Sequence, residues 1–129
     1  MSRLRQGIDI VDVEKFRAVL ARSPGLAAEL FTEGEWEYCL SKRDPSPHLA
    51  GRFAAKESYL KALGAGLRGT GIDHVFQEIE VRSANSGRPE IVLHGWAAKM
   101  AERRKIRHCS VSISHASQYA VASVVLTSD

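Results

Sequence analysis

The chain has few cysteines and no long apolar run. Its 129 residues include two cysteines, Cys39 and Cys109, and their spacing suggests neither a disulfide framework nor a zinc site. No window approaches the roughly 20 apolar residues that a membrane crossing needs, and the first residues lack the apolar segment of a secretion signal. We therefore expect no membrane partner, a cytoplasmic location and a single domain spanning residues 1–129.

The chain also lacks a strong charge of either sign. Lysine and arginine number 18 against 15 acidic residues, a net charge of +3. This mild excess favours an anionic partner but does not choose among nucleic acid, a membrane surface and an acidic protein. Aromatic residues are rarely interleaved with basic ones, which argues against nucleic acid. A non-catalytic scaffold that holds an acidic protein on a basic helix stays open.

Hydrophobic periodicity predicts strands and helices in the first half of the chain. Residues 7–13 alternate as a strand that places Asp9 opposite Ile8 and Ile10, and a helix follows over residues 13–22. A capping box predicts a helix that begins after residue 32 and ends near residue 43. Residues 44–47, with two prolines, are expected to break the chain before a central buried helix over residues 49–64.

The sequence of the second half of the chain predicts a hairpin, a helix and two further strands. The glycine-rich residues 64–71 predict a loop, and residues 75–81 and 89–93 predict paired strands around a turn at 85–87. A helix is expected over residues 95–105. Strands are expected over residues 110–114 and 120–126.

Two carboxylates fall at positions where burial is costly. Asp9 lies in the first strand and Glu57 in the alanine-rich helix, and buried carboxylates need a cationic partner or a metal. Mg²⁺ commonly uses only one or two protein carboxylates, so this pair could suffice. The alternative is that Asp9 pairs with a lysine or arginine while Glu57 accompanies Lys61 at i+4. Spacing alone favours the alternative.

Other polar residues also allow two interpretations. His115, beside Ser112 and Ser114, could bind an anion or handle a proton, or could be structural. The segment 64–71 could cradle a phosphate through backbone amides, although it lacks the ending of a P-loop, or could simply connect two elements. The first helix carries Lys15, Arg17 and Arg22, which could form a docking face for an acidic partner or simply a solvated face. Periodicity does not distinguish these two interpretations.

Five segments in order resemble a known family. They are "GIDIVDVEKF", "FTEGEWEYC", "LAGRFAAKESYLKALG", "FQEIEVRSANSGRPEIVLHG" and "VSISHASQYAVASVVL". Together they are similar to the holo-acyl carrier protein synthase group of the 4′-phosphopantetheinyl transferase superfamily. The resemblance implies an α+β fold with an antiparallel sheet packed on a long central helix, and a homotrimer with sites between subunits.

The resemblance also implies a reaction. The 4′-phosphopantetheine arm of coenzyme A would be transferred to a serine of an acidic apo acyl carrier protein, and adenosine 3′,5′-bisphosphate would be released. Asp9 and Glu57 would be ligands of Mg²⁺. The serine proton would pass either to a carboxylate such as Glu57 or to water at the metal. Whether the carrier serves fatty-acid, polyketide or peptide synthesis stays open.

Further roles follow from the resemblance residue by residue. Catalysis is expected from Glu57 and His115. Three positions depart from the family pattern, namely Arg5, Ser58 and Ala116. Coenzyme A contacts are expected at Arg52, Lys56, Lys61, Gly64 and His115, and carrier-protein docking at Lys15, Arg17 and Arg22.

Overall fold

The computed structural model describes residues 3–64 and 74–129, which contain six helices and five strands. The first half of the chain has one strand and four helices, and the second half alternates short helices with strands. In chain order they are β1 (Arg3–Asp12), α1 (Val13–Arg22), α2 (Leu26–Leu30), α3 (Glu33–Leu40), α4 (Pro45–Leu63), α5 (Val75–Glu78), β2 (Ile79–Ser83), β3 (Pro89–Leu93), α6 (Gly95–Arg103), β4 (Ile106–His115) and β5 (Tyr119–Ser128).

The strands form two antiparallel sheets. A three-stranded sheet has the order β1-β5-β4, and β2 pairs with β3 in a separate hairpin. In the larger sheet Asp9 lies opposite Ala122 of the central strand, and His115 lies opposite Ala120 from the other side. The long helix α4 packs against β1 and β5. The predicted α+β class, with an antiparallel sheet on a long central helix, is confirmed.

The start of α4 differs from the sequence prediction. The helix begins at Pro45, four residues before the predicted start, so residues 45–47 do not break it. The Asp44 side chain caps this end by accepting a hydrogen bond from the Ser46 amide. Prolines are tolerated here because the first amides of a helix have no intrahelical acceptor. The helix ends at Gly64, whose φ of 78° lies in the left-handed region that glycine adopts freely.

Three further features of the secondary structure differ from what the sequence predicted. Residues 75–78 form a helical turn rather than the start of a strand, and residues 26–30 form a short helix that the sequence pattern did not indicate. The capping box on Thr32 and Glu35 is present, but its helix ends at Leu40 rather than near residue 43. Segments of four or five residues contain too little periodicity to be assigned from sequence alone.

The contact between α4 and the sheet is unusually close at Gly7. A side chain at this position would overlap the backbone carbonyl oxygen of Ser58 and come within 2.8 Å of the Ala62 amide nitrogen. Ser58 strengthens the same contact, because its hydroxyl donates to the carbonyl oxygen of Ala122 at 2.9 Å. The absence of a side chain in β1 therefore lets the helix lie directly on the strand that carries Asp9.

A buried ion pair joins α3, α4 and the turn before β2. The Lys56 and Glu35 side chains are both fully buried, with 2.8 Å between Nζ and Oε1. Lys56 also donates to the carbonyl oxygens of Phe76 and Ile79, while Glu35 accepts from the backbone amides of Thr32 and Val81. Burial lowers the pKa of Lys56, and the nearby Glu35 carboxylate opposes that shift.

One face of the three-stranded sheet is not covered by α4. Alternate residues of β1 point away from the helix, and Leu4, Ile8 and Ile10 are 78%, 60% and 65% exposed. On the paired strand, Val121 and Val125 are partly exposed on the same face. Among the described helices, none has the length and apolar character of a membrane-spanning segment.

We predict that Lys56→Met and Glu35→Gln each lower the free energy of unfolding by about 3–5 kcal/mol, because each leaves a charge buried without its partner. The double variant should lose less than the two single losses together, since no unpaired charge remains. Urea denaturation followed by circular dichroism measures all three.

The matched control is Glu14→Gln, which removes one partner of the exposed Glu14–Arg17 pair at 3.7 Å. It should change stability by less than about 0.5 kcal/mol. Single variants at Lys56 and Glu35 that are as stable as this control would contradict the role given to the buried pair.

Candidate active site

Asp9 and Glu57 come together at one cleft. Asp9 lies on the face of β1 that packs toward α4, and its side chain is 19% exposed. Glu57, on α4, is half-buried and faces the same cleft, which has a volume of about 650 Å³. The prediction that two carboxylates from separate elements lie close together therefore agrees with the structure.

Lys61 is the cation at this pair. Its ammonium donates to Asp9 Oδ1 at 3.0 Å and to the backbone carbonyl oxygen of Ile8 at 3.0 Å. The lysine lies one helical turn after Glu57, so both side chains extend from the same face of α4. The structure thus contains the lysine partner that the alternative interpretation assigned to Asp9, in the same place as the two carboxylates.

The electrostatics of the cleft favour a further cation. Burial raises the pKa of Glu57, the nearby Asp9 carboxylate raises it further, and Lys61 acts in the opposite direction. Two carboxylate oxygens from different elements suit a hard divalent cation such as Mg²⁺, which completes its shell with water or phosphate oxygens. Within residues 3–64 and 74–129, no cluster of three or more acidic, histidine or cysteine side chains is arranged for a metal.

The walls of the cleft are mostly apolar. Lys15 and Asp12 also line the cleft, so it contains charged side chains in addition to the Asp9–Glu57 pair. Apolar walls lower the local dielectric and strengthen electrostatic interactions at the carboxylates. The apolar lining consists of Ile10, Val11, Phe16, Val19, Leu26, Leu30, Phe53 and Phe76.

Lys56 does not lie at this cleft, which corrects its expected contact with coenzyme A. Its side chain is 0% exposed, and its ammonium already donates to Glu35, Phe76 and Ile79. An ammonium has three donors, so this arrangement leaves none for a phosphate. Lys56 is a structural residue in this chain, although it stands next to Glu57 in sequence.

Arg52 and His115 belong to a second polar group on another side of α4. The Arg52 guanidinium lies 4.1 Å from the ring centroid of Tyr38 and donates to Ser83 Oγ at 3.3 Å. Its Nε is buried and has no hydrogen-bond partner among the described residues. The His115 ring lies 4.8 Å from the ring of His48, which is one helical turn before Arg52.

The two groups lie at opposite edges of the three-stranded sheet. Asp9 is on β1 and His115 is on β4, with β5 between them. Edge strands of such a sheet are about 10 Å apart. Within one chain the structure therefore does not bring His115 to the carboxylate pair.

Sequence reasoning missed Tyr38 and His48. The signal for His48 was its i, i+4 spacing from Arg52, but residue 48 fell between the predicted break at residues 44–47 and the predicted helix start at residue 49. Burial lowers the pKa of His48, and His115 lowers it further. Tyr38 carried no signal, because its contact with Arg52 depends on how α3 packs against α4.

Gly64, a predicted coenzyme A contact, lies at the end of α4. Gly64 ends α4 beside Arg5 and Arg104, whose guanidinium groups donate to the carbonyl oxygen of Leu63. The rest of the predicted phosphate loop, residues 65–71, lies outside the described residues.

The three predicted docking residues are all on α1, but they are not equivalent. Arg17 is held by Ser46 Oγ at 2.9 Å and by Asp44 Oδ1 at 3.5 Å. Within residues 3–64 and 74–129, Lys15 and Arg22 have no such side-chain partners: Lys15 reaches the cleft, and Arg22 is in the last turn of the helix. Arg17 is therefore the one of the three whose charge is already paired among the described residues.

Comparison with known proteins gives a consistent answer. Residues 5–124 match the family model of the 4′-phosphopantetheinyl transferase superfamily. A holo-[acyl-carrier-protein] synthase of Geobacter sulfurreducens is 47% identical over 121 residues, covering 93% of this chain and 94% of the relative. The same enzyme of Caldanaerobacter subterraneus is 42% identical over 116 residues, covering 90% and 88%.

Solved structures agree with the sequence relatives. A complex of Chronobacterium ammoniagenes ACPS with CoA superposes with a TM-score of 0.84 at 30% identity, covering 98% of each chain. The match extends over both sheets and α4, so it includes the elements that carry Asp9 and Glu57. The chain belongs to the 4′-phosphopantetheinyl transferase superfamily and, within it, to the holo-[acyl-carrier-protein] synthase family.

Proposed function

We propose that this chain transfers the 4′-phosphopantetheine arm of coenzyme A to a serine of an apo acyl carrier protein, with Mg²⁺ held by Asp9 and Glu57. Adenosine 3′,5′-bisphosphate is the second product. The observation that carries the proposal is the meeting of these two carboxylates at one cleft, in a chain whose relatives are holo-[acyl-carrier-protein] synthases. The proposal includes a cytoplasmic location and a single domain, both expected from the sequence.

The chain's own residues supply positioning and charge. Mg²⁺ bound at the two carboxylates would neutralise charge on the diphosphate of coenzyme A, the main electrostatic requirement of phosphoryl transfer. Asp9 and Glu57 would hold the Mg²⁺ charge in a cleft whose walls are mostly apolar. Lys61 lies beside them and can pair with a phosphate oxygen through its exposed ammonium, which fits its predicted contact with coenzyme A.

The proton of the serine hydroxyl needs an acceptor near the cleft. The acceptor would be either Glu57, which faces the cleft, or water at the metal that Glu57 would hold. His115 could contribute at this cleft only from another subunit, because within one chain it lies across the sheet. Both residues remain in the proposed catalytic set, with Glu57 acting from within the chain.

The second polar group suits another phosphate of coenzyme A. The buried Nε of Arg52 has no partner among the described residues, and planar guanidinium donors match phosphate oxygens well. We assign Arg52, Lys61, Gly64 and His115 to coenzyme A binding and remove Lys56 from that set, because all of its donors are used internally.

A homotrimer with sites between subunits fits two features of the fold. The open sheet face carries Leu4, Ile8 and Ile10, and a large exposed apolar patch is typical of an interface. In addition, the two parts of the proposed site lie at opposite sheet edges, so an edge of one subunit placed against the opposite edge of the next would bring them together.

We predict that Asp9→Ala and Glu57→Ala each abolish Mg²⁺-dependent transfer while the fold is retained, because each removes one of two metal ligands. The assay incubates the protein with coenzyme A, Mg²⁺ and an apo acyl carrier protein, and mass spectrometry detects the attached arm. Circular dichroism and thermal unfolding verify the fold of each variant.

The control is Glu90→Ala, which removes an exposed carboxylate on β3. It should transfer at the parent rate. Failure of the parent protein to modify any of several fatty-acid, polyketide and peptide-synthesis carriers would refute the proposed function. Carrier binding without coenzyme A binding would instead support the scaffold alternative.

Docking of the acidic carrier is expected to depend on Lys15 and Arg22. Reversing either charge to glutamate should raise the KM for the carrier by about tenfold, equivalent to about 1.4 kcal/mol, with little change in the KM for coenzyme A. Arg17→Glu should do less to carrier docking, because Arg17 is already held by Ser46 and Asp44. Steady-state kinetics at low and high salt measure the effect.

Lys99→Glu on α6 is the matched control for this charge reversal, since it lies near Trp96 and away from the carboxylate cleft. An increase in the carrier KM as large for Lys99→Glu as for Lys15→Glu would show a nonspecific effect of net charge and would contradict the docking assignment.

The trimer is expected to depend on the open sheet face. Ile8→Lys should give a monomer in sedimentation velocity experiments, because a charge would be buried in the apolar interface. Leu40→Lys, at an exposed position on α3, should remain trimeric. A parent protein that sediments as a monomer, or an Ile8→Lys variant that stays trimeric, would rule out this interface.

A further inference from the structure

Lys61 forms two hydrogen bonds with other residues of the chain, in the absence of any substrate. Its ammonium lies 3.0 Å from Asp9 Oδ1 and 3.0 Å from the carbonyl oxygen of Ile8. Both acceptors belong to β1, so the lysine crosses from α4 to the strand. An expected phosphate-binding residue therefore contacts an expected metal ligand in the free protein.

The charges at the cleft are only half balanced by this lysine. Asp9 and Glu57 carry two negative charges when both are ionised, whereas Lys61 supplies one positive charge. A divalent cation would balance both carboxylates and would also compete with the ammonium for Asp9.

Lys61 is free to give up this position, in contrast with Lys56. The Lys61 side chain is 53% exposed, and two of its three ammonium donors have acceptors within residues 3–64 and 74–129. Lys56 is fully buried with all donors occupied. An exposed lysine on a flexible four-carbon stem can change partners at little cost.

We propose that Lys61 is an internal counter-ion of the metal-free site, which a divalent cation displaces from Asp9 so that the ammonium becomes available to the diphosphate of coenzyme A. The inference rests on the proposed function and extends it. Its consequence is that the free protein binds metal weakly, since the lysine must first leave Asp9. Metal binding then prepares the site for coenzyme A, because the Lys61 ammonium leaves Asp9 and can contact the diphosphate.

The test measures metal affinity in the absence of coenzyme A. Mn²⁺ is titrated into the full chain, and electron paramagnetic resonance follows the unbound ion. Lys61→Met should lower the Kd for Mn²⁺ by about fivefold, the scale of a half-exposed ion pair. Lys61→Arg should bind Mn²⁺ much as the parent does, because it keeps the competing charge.

One further variant makes the result specific. Lys15→Met removes another lysine of the same cleft that does not bond Asp9, and it should tighten Mn²⁺ binding by much less than Lys61→Met. Equal tightening in both variants would overturn the displacement, because the general field of the cleft would then suffice. Unchanged Mn²⁺ binding by Lys61→Met would also overturn the displacement, since the lysine would then have no effect on the metal. Weaker Mn²⁺ binding would overturn it as well, since the lysine would then be needed to position Asp9 for the metal.

The fate of the released ammonium is tested with coenzyme A present. Lys61→Met should raise the KM for coenzyme A while leaving the KM for the carrier unchanged, and an unchanged KM for coenzyme A would refute the second half of the inference. Failure of the proposed function itself is recognised separately: Asp9→Asn would then bind Mn²⁺ as well as the parent, or the parent would transfer no arm at all.

Discussion

The buried Lys56–Glu35 pair is the constraint on which the placement of the site depends. It fixes the rotation of α4 about its own axis, because Lys56 must face α3 and the turn before β2 to satisfy its ammonium. The next residue is rotated by about 100°, and Glu57 is therefore directed to the cleft beside β1. Arg52, one turn before Lys56, lies on the same side of α4 as Lys56, with Tyr38 and Ser83. One buried charge pair thereby separates the two polar groups of the molecule.

Much of the fold followed from the sequence because its signals are local. The alternation in β1, the capping box at Thr32 and the C-terminal hairpin of β4 and β5 each depend on residues that are near one another in the chain. The errors arose where distant contacts decide the structure. The turn at residues 75–78 presents carbonyl oxygens to Lys56, a requirement that no local pattern reveals.

The candidate site shows the same division. Periodicity could place Asp9 and Glu57 on their elements, but it could not show that both face one cleft, because that depends on the close approach of α4 to Gly7. It also could not separate Lys56 from Lys61, two lysines on one helix within two turns. Burial with complete hydrogen bonding makes the first structural, and partial exposure leaves the second available for binding.

Under the proposed function, the two interpretations of the carboxylates, ion pair and metal site, describe different states of one arrangement. A site built only for a metal would leave two carboxylates repelling each other whenever the metal is absent, at a cost to stability. A site built only as an ion pair would need one acidic residue for one lysine. Two carboxylates with one half-exposed lysine satisfy both cases, because the lysine balances part of the carboxylate charge when no metal is bound. The half-exposed position of Lys61 is thus as much a part of the site's design as the burial of Lys56.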